Sequence, residues 1–99
     1  MTETYTHGTW TAKTGEEEAF VESWTDFVTW ARTMLGSGSF RLVRDVDQPR
    51  TYVSFADWES FDAQQAWKGT TEFGELMGRV RAHCDGFQPS VLELVTRIG

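Results

Sequence analysis

Ninety-nine residues, 39% hydrophobic and 14% aromatic, suffice for one small domain with a buried core and leave no room for a second. Lys and Arg number 9 against 15 Asp and Glu, a net charge of −6 with no basic stripe, which argues against nucleic acid as a partner. The longest apolar run, Ala19-Phe20-Val21, is far short of the roughly 20 residues a membrane span needs, and the polar Met1-Thr2-Glu3-Thr4-Tyr5 shows no secretory signal, so no membrane association and a cytoplasmic location are expected.

Tyr5 to Ala12 alternates around Thr, Trp and Tyr and breaks at Lys13-Thr14-Gly15, which predicts a first strand. Thr14 with Glu17 reads as a capping box, and Glu16, Glu17 and Glu18 suit the positive end of a helix. Phe20, Trp24, Phe27, Ala31 and Met34 then draw one apolar stripe, predicting a helix over 16–35 that Gly36-Ser37-Gly38 stops. Phe40 to Val46 and Thr51 to Asp57 form a hairpin around Asp47-Gln48-Pro49-Arg50.

Ser60 caps a short helix carrying Phe61, Ala63, Ala66 and Trp67 and closed by Gly69. A further helix after Thr70-Thr71 aligns Phe73, Leu76, Met77, Val80 and Cys84 until Asp85-Gly86. Ser90 to Ile98 is the last strand. The order is β-α-β-β-α-β, a ferredoxin-like α+β fold in a single domain over 1–99. That strand places Val91 and Val95 on one face and Leu92, Leu94 and Ile98 on the other, whereas helices cover only one face of such a sheet. The bare side is expected to pack on the sheet of an identical subunit, making a homodimer.

Trp67, with Trp24, Phe27, Trp58, Phe73 and Met77, is placed to line a flat apolar cavity between helices and sheet; the plainer reading of each is core packing. His7 and His83 are the natural proton acceptors near neutrality. By parity, however, His7 falls on the face away from the helices, and His83 falls in the last turn of its helix, where a cation suits the dipole. Cys84 is the only cysteine and belongs to the apolar stripe, so it forms no internal disulfide and no zinc pair, and His83-Cys84 lacks metal-ligand spacing. Gly36-Ser37-Gly38 is a helix stop and not a phosphate loop, and neither GxSxG nor HExxH occurs, which disfavours nucleophilic and metal hydrolases.

Trp58-Glu59-Ser60 followed by Ala63, Trp67 and Phe73 resembles the W-x-S-x-x-A-x-x-x-W pattern of the antibiotic biosynthesis monooxygenase domain family. The likeness extends over nearly the whole chain, through Gly15-Glu16-Glu17, Phe20, Trp24 and the Pro49 hairpin. It implies a dimeric α/β barrel, a pocket in each subunit, and oxygenation of aromatic phenols or anthrones to quinones without a cofactor, with Trp67 as hydrogen-bond donor. Haem-degrading members resemble this chain at Trp67 but carry an Asn and an axial His where it has Gly8 and Met77; quinone-forming members pair the Trp with an Asn and a Tyr where it has Ala63 and Phe73. The implied reading is a monooxygenase of flat aromatic molecules. A non-catalytic dimer binding the same class of molecule is the alternative, and haem binding a weaker one.

Overall fold

A computed structural model describes residues 3–99; the polar start at Met1 and Thr2 lies outside them. The elements are β1 (Thr4–Ala12), α1 (Glu17–Ala31), β2 (Ser37–Arg44), β3 (Thr51–Trp58), α2 (Phe61–Lys68), α3 (Thr71–Arg81) and β4 (Cys84–Glu93). The strands form one antiparallel sheet in the order β2-β3-β1-β4. This is the ferredoxin-like α+β fold, with the second crossover split into two helices.

Helix starts follow their polar residues, with one exception. Ser60 Oγ accepts from Ala63 N–H and Thr70 Oγ1 from Phe73 N–H, both at 3.1 Å, as N-cap hydroxyls do. At α1 the expected Thr14 cap is replaced by Glu16, which makes no side-chain cap bond because its Oε1 lies 2.9 Å from His83 Nδ1. Glu17 Oε1 instead reaches back to Gly15 N–H at 2.9 Å. The helix also ends before position 35. Thr33 N–H donates to Trp30 and Met34 N–H to Ala31, a tightened last turn that Gly36 leaves at φ +86°, a conformation that suits glycine.

The largest departure from expectation is at β4. Asp85-Gly86 does not stop a helix but lies inside the strand, and Cys84 opens that strand opposite Ala12 rather than closing the stripe of α3. At its other end β4 stops where its partner does: Thr4 pairs with Glu93, and Leu94 N–H to Glu3 carbonyl at 2.8 Å is the final bond. An antiparallel strand cannot outrun the strand it pairs with. Leu94, Val95 and Ile98 therefore stand outside the sheet, and of the expected two-faced set only Val91 and Leu92 lie in the strand. β2 likewise ends at Arg44, because Asp45 Oδ1 accepts from Asp47 N–H at 2.9 Å and Gln48 N–H at 3.3 Å and starts the turn.

Alternation along the strands sorts the sheet into two faces. Thr4, Gly8, Trp10 and Ala12 of β1 are buried beneath the helices, with Tyr52, Ala56 and Trp58 of β3 alongside. Phe20, Trp24, Phe27, Val28 and Ala31 of α1 close over them. The opposite face presents Tyr5, His7 and Thr9 next to Asp57, Phe55 and Val53. No helix of the described residues is long and apolar enough to cross a membrane.

Candidate functional site

Between the helices and the sheet lies a cavity of about 310 Å³. Of the residues singled out from sequence, Trp24, Phe27, Trp67, Phe73 and Met77 line it. Trp58 does not, which corrects its assignment to the pocket. It is 3% exposed and stands behind Trp67 with ring centroids 4.8 Å apart, so it supports the wall as core. Its place on the cavity side is taken by Trp10, Phe40 and Phe87, none of which sequence reasoning nominated. Their strand alternation was readable, but which strand residues meet a cavity depends on how far α1 and α3 stand from the sheet.

Trp67 sits at the centre of an aromatic cluster. Phe27 stacks on it at 5.6 Å, and Phe73 meets it edge-on at 4.8 Å and Phe40 at 6.0 Å. The buried indoles differ in one respect. Trp10 Nε1–H donates to Ser54 Oγ at 2.9 Å, and Trp58 Nε1–H donates to Thr6 Oγ1 at 3.1 Å, each across a strand pair. The Nε1–H of Trp67 is buried and has no acceptor among the described residues. A buried donor left unmade costs about 1–3 kcal/mol, so an orphan at a cavity wall is an opening for an acceptor from outside the chain.

A second polar feature was missed from sequence. Gln64 is fully buried; its Nε2 donates to Thr4 Oγ1 at 3.0 Å, Thr4 in turn donates to the Trp58 carbonyl at 3.3 Å, and Gln64 Oε1 has no partner. Nothing in Ala63-Gln64-Gln65-Ala66 by itself sets it apart from Gln65. The signal was its spacing, one turn before Trp67 on the same helical face.

Gly8 forms part of the cavity floor: a Cβ there would come within 2.8 Å of the Phe87 ring and 3.1 Å of Trp10 Nε1. Met77 lines the same cavity. These are the two places where the haem-degrading pattern asks for Asn and His, and here a bare backbone stands for the amide side chain and a thioether for the imidazole ligand. Among the described residues no three His, Cys, Asp or Glu side chains gather as a metal site.

Of the remaining candidates His7 reaches the cavity lining, and His83 and Cys84 do not. His7 is on the outer face, paired with Phe55 and Ser90, and its Nδ1 is buried without a partner. His83 is in the turn after α3 and not in its last helical turn, and it faces Glu16 away from the cavity lining. Cys84 is half-buried on β4, and burial, with Asp85 nearby, pushes its thiol up to about 11, the reverse of what a nucleophile needs.

The chain matches the family model described as antibiotic biosynthesis monooxygenase over residues 5–79. No curated protein sequence matches it. Among solved structures, SnoaB, a cofactor-independent oxygenase from Streptomyces nogalater, is 18% identical, with a TM-score of 0.83 over 100% of this chain and 97% of that one. A protein from Shewanella oneidensis is 14% identical, with a TM-score of 0.82 over 94% and 91% of the two chains. A conserved protein from Methanosarcina mazei is 10% identical, with a TM-score of 0.84 over 93% and 92%. At these identities the likeness is one of fold.

Proposed function

Since the chain belongs to the antibiotic biosynthesis monooxygenase family, we propose that its cavity takes a flat aromatic or polyketide-type molecule and oxygenates it without a cofactor, a phenol or anthrone becoming a quinone. The observation that carries this reading is the buried, unpartnered indole N–H of Trp67, a residue of a cavity lining that also holds the rings of Trp10, Trp24, Phe27, Phe40, Phe73 and Phe87.

In such a reaction the ionised substrate itself supplies electrons to O₂. For an anthrone, the ring CH₂ loses both hydrogens, one oxygen atom becomes the new carbonyl and the other leaves as water. The protein's share is to hold the ring system, keep water out and donate a hydrogen bond where charge collects on oxygen. Trp24, Phe27, Phe73 and Met77 hold the rings in this reading, and Trp67 is the donor. The reading pairs two copies of the chain through the outer face of the sheet, where Val43 and Leu92 are 48% and 43% exposed.

One observation favours a binding protein without turnover: Ala63 and Phe73 stand where the quinone-forming pattern has Asn and Tyr, and neither can move a proton. Oxygen uptake with the anthrone dithranol, corrected for spontaneous oxidation, separates the two. Protein-dependent uptake with quinone formed, lost in Trp67→Phe, is the expected result. Binding of dithranol with no uptake above background would leave a binding protein.

A further inference from the structure

The chain carries 15 Asp and Glu side chains, yet none of them lines the cavity. The ionisable residues that do are His7, Lys68 and Arg81. His7 belongs by strand alternation to the outer face, which leaves two cations on the helix side. Lys68 is the last residue of α2 and Arg81 the last of α3, a helix about 16 Å long, and both line the cavity. Neither forms an ion pair among the described residues. The Arg81 guanidinium lies 5.7 Å over the Phe87 ring, which is itself stacked on Trp10 at 3.9 Å. A protein of net charge −6 thus reserves for its aromatic cavity a lining with positive charges and no negative one.

Resting on the aromatic-ligand reading above, we propose that the cavity selects its ligand in anionic form, as a phenolate or enolate, with Lys68 and Arg81 supplying the countercharge. Two effects oppose each other on a bound phenol. An apolar wall disfavours the charged form and raises its pKa, whereas nearby cations favour it and lower its pKa. Half-burial, which also pulls the Lys68 ammonium down from the usual lysine value, limits solvent screening and strengthens the second effect. The consequence bears on the absence of a base: a substrate whose ionisation the cavity favours can lose its proton to water, and no side chain need accept it. Here Lys68 and Arg81 act on the substrate's charge and do not take part in proton transfer.

The sign is measurable with alizarin, a hydroxyanthraquinone whose colour reports ionisation of its phenol, while quenching of tryptophan fluorescence reports binding at every pH. The expected result is an apparent pKa about one unit lower for bound than for free dye, a tenfold shift toward the anion. Lys68→Met and Arg81→Met each reverse part of this shift, and Lys68→Arg retains it. Bound dye with an unchanged or raised pKa would overturn the proposal, and so would a lowered pKa that survives Lys68→Met combined with Arg81→Met. Failure of the dye to bind at any pH would instead remove the aromatic-ligand reading, and this inference with it.

Discussion

The two faces of the sheet share one backbone and differ in everything they present. Beneath the helices Trp10, Tyr52, Ala56 and Trp58 are buried at 5% exposure or less. On the other side Tyr5, His7 and Thr9 alternate with them along β1, next to Phe55 and Val53 and with Val43 and Leu92 in the open. The covered face is closed by this chain's own helices and keeps a cavity; the outer face leaves Val43 and Leu92 exposed among the described residues. The difference teaches that one-residue alternation alone gives the same strands a cavity-lining face and an exposed apolar face, which the proposed function uses for a ligand and for a second copy of the chain.

The comparison can be tested where the covered face is fullest. Trp58→Ala removes a buried indole that packs on Trp67 and on Phe40 at 5.9 Å, and is expected to cost about 3–5 kcal/mol in urea denaturation. A smaller effect belongs to the rim of that face. With its thiol raised from 9.0 to about 11, Cys84 at pH 8 holds roughly 100-fold less thiolate than a cysteine at the starting value. Iodoacetamide should therefore label it about 100-fold more slowly in the native protein, and the rate should climb as pH rises toward 11. A rate equal to that of the urea-unfolded chain would mean that the rim is open.

On the outer face, Val53→Lys should leave the monomer's stability within about 1 kcal/mol of the parent while dissociating the dimer, seen by native mass spectrometry as the 11.3 kDa species alone. The parent protein found only as that species at micromolar concentration would end the dimer proposal. The smallest effect expected is for Trp67→Phe. Deleting an N–H that has no acceptor removes a penalty while the smaller ring loses packing, and the two opposing effects should leave stability within about 1 kcal/mol, whereas Trp10→Phe, which strands the Ser54 hydroxyl, should cost more.

Most of the architecture was legible because local signals and burial agreed. Ser60 and Thr70 cap where hydroxyls precede apolar periodicity, and the Phe20-Trp24-Phe27-Ala31 stripe faces the core. Local pattern fails where a distant partner decides. Glu16 turns from its own helix end to His83, and β4 is positioned by β1 rather than by its own alternating Val91-Leu92-Val95-Ile98 pattern. The cavity was legible in its helical walls, since Trp24 and Phe27 share a face of α1 and Phe73 and Met77 share a face of α3. It was not legible in its floor: Gly8 offers no side chain to read, and Trp58 and Trp10 are equally aromatic, with only the packing to show which one meets the cavity.

The central claim is that the free indole N–H of Trp67 awaits a ligand's oxygen. The indole region of a ¹H–¹⁵N correlation spectrum, with the Trp67 signal assigned through Trp67→Phe, tests it during titration with 1,8-dihydroxyanthraquinone. The account predicts that the Trp67 indole signal moves downfield by more than those of Trp10 and Trp58, whose protons are already committed to Ser54 and Thr6. Saturable binding that leaves the Trp67 signal in place while Trp10 or Trp58 moves would contradict it.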